Sequence, residues 1–174
     1  MSRAAAPLAQ VQGVDSDARL AFVEFLLTSI DVQESSRRAV DWLVAHAPVT
    51  EAVVLVAEPL SSEMLLVAEH GVTSGAIMDF SLSREDGAHP LIQALHTPVP
   101  TYIEALPAHI RSPLESRSFH VMPLRADASE NAHGLLLVAG RAELDAETHW
   151  LARTLGKQVS RLICLLYTSD AADE

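Results

Sequence analysis

The sequence predicts an α+β domain built on an antiparallel sheet, and three observations predict it. Residues 118–140, SFHVMPLRADASENAHGLLLVAG, read as two strands around a polar turn. Phe119, Val121 and Leu124 mark the first arm, and an unbroken aliphatic run between Gly134 and Gly140 forms the second. A short apolar run bounded by glycines suits a strand buried on both faces. Residues 51–58 and 63–69, EAVVLVAE and EMLLVAE, make a second hairpin across the turn at 59–62. Amphipathic helices stand before and after the strands rather than alternating with them, which is the α+β order.

The elements follow in chain order. Residues 1–14 are rich in Ala, Pro, Gln and Gly and are expected to be loose. A first helix starts near Ser16, with Asp17 favourably placed in its first turn. Its apolar seam is Leu20, Val23, Leu27 and Ile30, broadened by Phe22, Phe25 and Leu26. Asp31 then reads as an N-cap with Glu34 three residues on, a variant of the capping box. The second helix runs to about His46 with Val32, Ala39, Val40, Leu43 and Val44 inward, and Pro48 closes it.

After the first hairpin, residues 77–82 read as a weaker edge strand and 83–88 as a polar loop. His89-Pro90 opens a short helix with Leu91, Ile92 and Leu95 on one side. Pro98, Pro100, Pro107 and Pro113 then exclude a central strand but suit a structured lid or a short edge strand. The last helix spans about residues 145–163, with Leu144, Thr148, Leu151, Leu155 and Leu162 on one stripe.

Bulk properties narrow the function. A chain of 174 residues supports one domain with a proper core. Aromatic content of 5% makes that core mainly Leu, Val and Ala. A net charge of −11 with no basic block argues against nucleic acid. No apolar run reaches bilayer length, and the N-terminus lacks a signal-peptide core, so a soluble cytoplasmic domain is expected.

Residues 164–174, CLLYTSDAADE, resemble the translation of a sequencing adapter, so the natural domain is expected to end at Ile163 in a truncated gene. That tail holds three acids and no base, so the rest of the chain is less acidic by that amount. The single cysteine, Cys164, lies in it; thiol catalysis, disulfides and cysteine-ligated metals are then absent from the natural domain.

Residues 16–163 resemble a GAF domain. The resemblance is carried in order by LLTSID at 26–31, LLVAEHG at 65–71, HPLIQALHTPVP at 89–100, SFHVMPL at 118–124 and GLLLVAG at 134–140. It implies a GAF/PAS-like sheet of five or six strands. The first and last helices would cover one face, and loops with the short helix would enclose a small-molecule pocket on the other. Members of this family bind cyclic nucleotides, bilins, haem or other small effectors, and some bind nothing known. Bilin attachment and methionine-sulfoxide reduction both need cysteines that the natural chain lacks. The family's cyclic-nucleotide residues cannot be located, and the only lysine is Lys157. Haem would need a pocket histidine and is disfavoured, so the cofactor stays unknown.

The resemblance organises the candidate site residues. Eight histidines show no metal-ligand spacing, and those at His46, His70, His89 and His133 sit at element ends, where capping is the default. If Phe119 and Val121 face the helices, Ser118 and His120 face the pocket. A neutral imidazole there can hydrogen-bond a ligand; the alternative is that it satisfies a loop carbonyl. Tyr102 and Phe80 would wall the pocket, with ordinary packing the simpler account for Phe80. Arg111 and Arg117 flank the proline-rich lid and suit an anionic effector, against simple surface pairing with glutamates. Arg84, Glu85 and Asp86 read as a solvated loop. No nucleophile elbow or phosphate loop is present, so no enzyme is expected.

The functional expectation is a small-molecule-sensing regulatory domain of a bacterial-type signalling protein. Pocket occupancy would bias a homodimer formed through Leu20, Val23, Leu27, Leu151, Leu155 and Leu162. The last helix would continue into an output module such as a histidine kinase, diguanylate cyclase or transcription activator. The alternative is a ligand-free module used for dimerisation or protein contacts. No nucleic acid, membrane or metal is expected as a partner.

Overall fold

A computed structural model describes residues 16–73, 79–128, 130–140 and 143–172. Four helices and six strands are described: α1 Ser16–Thr28, α2 Val32–His46, β1 Glu51–Ala57, β2 Glu63–His70, β3 Ser81–Ser83, α3 Pro90–Leu95, β4 Thr101–Ile103, β5 Phe119–Leu124, β6 Gly134–Ala139 and α4 Ala146–Ala172. The strands form one sheet in the order β3-β2-β1-β6-β5-β4, and every neighbouring pair is antiparallel. The expected loose segment at 1–14 and the first residues of the expected strand at 77–82 lie outside the described residues.

Strands β1 and β6 occupy the centre and are buried along their whole length. Period-two alternation divides their side chains between two cores. Ala52, Val54, Val56, Leu136 and Val138 join the core beneath the long helices. Val53, Leu55, Leu135, Leu137 and Ala139 join the opposite core, closed by α3 and by Leu114 of the 104–118 segment. This is why neither strand shows polar alternation: both of its faces are covered.

Local signals set the helix boundaries. The Asp31 carboxylate accepts the Glu34 backbone N–H at 3.0 Å, as a capping residue must. Pro90 begins α3 behind His89, whose Nδ1 accepts the Leu91 N–H at 3.2 Å. The chain leaves β2 through Gly71 at φ +75°, where a Cβ would lie 2.1 Å from the Thr50 carbonyl oxygen, so only glycine fits. Gly156, in the middle of α4, lets that helix touch the sheet: a Cβ there would lie 2.5 Å from the Arg125 carbonyl oxygen.

Helix α1 buries the residues that flank its aliphatic seam and leaves much of the seam itself outside. Phe22 and Leu26 are its buried residues, while Leu20 and Leu27 are 56% and 67% exposed and Ile30, just beyond the helix, is 85% exposed. Aromatic packing decides the choice. Phe22, Trp42 and Trp150 form a triangle with centroids 4.9–6.0 Å apart, and the Arg19 guanidinium lies over Trp150 while pairing with Glu147. The core beneath the helices is therefore less purely aliphatic than composition implied. Arg161 and Gln158 of α4 close the end of α1. The Arg161 Nη2 donates to the Ser29 carbonyl at 2.9 Å, and Gln158 Nε2 donates to the same carbonyl at 3.1 Å.

The dimer line needs correction in the same region. Leu151, Leu155 and Leu162 are 0–2% exposed inside the protomer, so they are not available to a partner. Heptad-like spacing on α4 reflects its seat against β5 and α2. Ile163 of α4 is buried, and the next three residues, Cys164, Leu165 and Leu166, are exposed.

Candidate functional site

A cavity on the α3 side lies between β3, the start of α3 and the 104–118 segment. It measures about 520 Å³ and is lined by Asp79, Phe80, Asp86, His89, His109 and Arg111, with Ile110 and the β3 strand completing the wall. Each lining group has a local reason for its place. Phe80 leads into β3 and is 7% exposed, in the same core as Leu82 and Leu91. Asp86 Oδ1 accepts the Ala88 N–H at 3.3 Å in the turn before α3. His89 is held by its N-cap bond. His109 and Arg111 sit within the proline-rich stretch that the sequence marked as a lid.

That stretch is tied to the sheet at its far end. The buried Glu51 carboxylate at the start of β1 accepts the Glu115 N–H at 2.7 Å and the Ser116 N–H at 3.0 Å, and also binds the Ser116 hydroxyl. The Glu115 carboxylate in turn accepts the Thr73 N–H at 2.9 Å and binds its hydroxyl. These bonds to Thr73 hold the Glu115 carboxyl below its usual range.

The predicted site residues do not converge. Phe80 lines the cavity, and so does Arg111. His120 lies on the other face, because Phe119 and Val121 belong to the α3-side core and not to the helical one. The inference that His120 faces the α3-side pocket is therefore reversed. Both parities of β5 carry apolar residues, so alternation alone leaves the choice of face open. Tyr102 lies opposite His120 across β4 and β5, and their rings sit 4.8 Å apart. The crevice beside His120 holds only about 20 Å³, too little for an effector. Ser118 and Arg117 are exposed in the turn before β5.

Asp79 and His109 carry no sequence signature of a site, while Asp86 reads as part of a solvated loop and His89 as a cap. The available signal is weak: His109 stands between Pro107 and Pro113, inside the lid that carries Arg111. Among the described residues, no group of three His, Cys, Asp or Glu side chains is placed to hold a metal. No described helix is long and apolar enough to cross a membrane.

Two histidines shielded from water, His89 and His133, link the fold to pH. Burial pushes the His89 imidazole below its ordinary value of 6.5, with Asp86 opposing. Burial also lowers His133, opposed by Glu130 and reinforced by Arg84. A lowered folded value means that the unfolded chain binds protons first as pH falls below about 6.5. Stability is then full above that value and declines as pH drops toward the folded values. Urea unfolding is expected to show a lower midpoint at pH 5 than at pH 7.5. His89→Asn, which keeps a capping side chain, is expected to make that decline shallower.

No protein-family profile matches the chain, and no curated protein matches it in sequence. Solved structures do match in fold. A methyl-accepting chemotaxis protein fragment, residues 122 to 287, aligns with TM-score 0.66 at 19% identity over 84% of this chain and 98% of that one. The GAF domain of an Acinetobacter phosphoenolpyruvate-protein phosphotransferase aligns with TM-score 0.66 at 16% identity over 87% and 93%. A free methionine-R-sulfoxide reductase from Neisseria meningitidis, solved with its substrate, aligns with TM-score 0.59 at 17% identity over 87% and 92%. The fold thus occurs in an enzyme as well as in proteins of signalling systems, so it does not by itself decide whether this chain is catalytic. At these identities the likeness carries architecture alone, and on that ground the chain has a GAF-like α+β fold.

Proposed function

We propose that residues 16–163 form a small-molecule-sensing regulatory domain whose effector occupies the cavity between Phe80 and Arg111. The observation that carries this reading is the cavity itself. At about 520 Å³ it lies within the usual range of small-ligand sites, and it combines an aromatic wall with convergent charged groups. Arg111 supplies a cation for an anionic group, and Asp79 and Asp86 supply acceptors. Phe80 and Arg111 are the sequence-derived candidates that line this site; His120, Tyr102, Ser118 and Arg117 have no part in it.

The relay follows the chain. His109 to Arg111 and Glu115 to Ser116 belong to one segment, and Glu51 clamps its end to β1. Glu51 pairs with Ala139 at the end of β6, from which the chain passes to α4. An effector that favours one position of the segment would bias α4 by its differential affinity for the two arrangements. Leu20 and Leu27, exposed on α1, and Ile30 just beyond it support a dimer contact there, in place of the leucines buried under α4. The same exposed strip favours the second reading, a ligand-free dimerisation module.

Thermal-shift screening against cyclic nucleotides, haem and small organic acids separates the two. The sensing reading expects at least one compound to raise the melting temperature, and Arg111→Gln to remove at least tenfold in affinity. If no compound does so while the protein is dimeric and Leu27→Asp makes it monomeric, the dimerisation module stands instead.

A further inference from the structure

A second cleft lies on the opposite side of the sheet, where α4 crosses the end of β5. It measures about 300 Å³, and Met122, Pro123 and Ala152 form its apolar floor, with Pro98 and Pro100 on one wall. Its rim is cationic. Arg153 and Lys157 stand one turn apart on the exposed side of α4, and Arg125 closes the inner end. Among the described residues neither Arg153 nor Lys157 has an ion-pair partner, although the chain holds 23 acidic residues against 12 basic ones. Asp127 is the single carboxylate in the lining.

Arg125 adds an independent observation. Its Nη2 donates to the Leu95 and Thr97 carbonyls at 3.2 and 2.8 Å, so the guanidinium is anchored against the end of α3. Its Nε is buried with no hydrogen-bond partner among the described residues. Gly156 brings α4 against the Arg125 backbone, which places Arg153 and Lys157 beside the same cleft.

From these features we propose that the cleft binds an organic anion with a compact apolar body. The anionic group meets Arg153 and Lys157, and the apolar body covers Met122, Pro123 and Ala152. A bare inorganic anion leaves that floor wet, and a neutral amphiphile leaves the cations unmatched, so both halves of the ligand are needed. The site is separate from the Phe80–Arg111 cavity and does not depend on an effector there.

Amide chemical-shift titration of the full chain with sodium octanoate tests this, with 1-octanol and inorganic phosphate as comparison probes. Octanoate is expected to shift residues 122–128 and 149–157 saturably and to bind at least tenfold more tightly than either comparison probe. The Arg153→Gln/Lys157→Gln double variant should lose at least tenfold in octanoate affinity with its melting temperature unchanged. Ala126→Leu, which narrows the cleft and keeps every charge, should lose a similar factor. Equal binding of octanol and octanoate, shifts centred on residues 79–89, no saturable shift, or unchanged affinity in the double variant would each overturn the assignment.

Discussion

Leu137→Ala is expected to lower the free energy of unfolding by about 2–5 kcal/mol, the range for truncating a buried leucine to alanine. Leu137 is fully buried, lies opposite Val53 on β1 and Val121 on β5, and faces the α3-side core. Paired strands hold its backbone on both sides, so the sheet cannot collapse into the space the side chain leaves. A control at Leu27, which is 67% exposed on α1, is expected to change stability by less than about 0.5 kcal/mol. Urea denaturation at pH 7.5 measures both. Comparable losses at the two positions would contradict the assignment of β6 to the centre of the sheet.

Glu51→Ala is expected to cost about 1.5–3 kcal/mol, the value of hydrogen bonds to a buried charged group. The carboxylate is 7% exposed and holds two backbone amides and one hydroxyl of the 104–118 segment. Its loss should free that segment more than the rest of the fold. Amide exchange at Glu115 and Ser116 should then accelerate beyond what the drop in global stability explains. Glu51→Gln keeps one acceptor oxygen and should show a smaller effect. An Ala variant as stable as the parent, with Glu115 still protected, would remove the clamp from the relay.

Local chemistry was readable in the sequence, and long-range choices were not. Asp31, Pro48 and Pro90 mark their helix boundaries through bonds or steric limits within a few residues. The glycine-bounded run became β6 because its composition suits burial on both faces. By contrast, the faces of α1 and β5 depend on partners far along the chain. Phe22 turns inward because Trp42 and Trp150 meet it, and the aliphatic seam at Leu20 and Leu27 is left outside. His120 lies on a strand whose two parities are both apolar, so the sequence could not say which one met the helices. The same limit applies to the site. Arg111 was recognisable as a cation beside a lid, but Asp79, Asp86 and His89 come to it only through the turn before α3 and the packing of β3. Glu51 reaches Glu115 across 64 residues, a bond with no local pattern.

The most direct measurement of the receptor reading is amide hydrogen exchange, with and without an effector found by the thermal-shift screen. Slower exchange is predicted at Leu82, Leu91, Ile110 and Arg111 around the cavity, and at Glu115 and Ser116 along the clamp. Protection elsewhere, with those six amides unchanged, would contradict it.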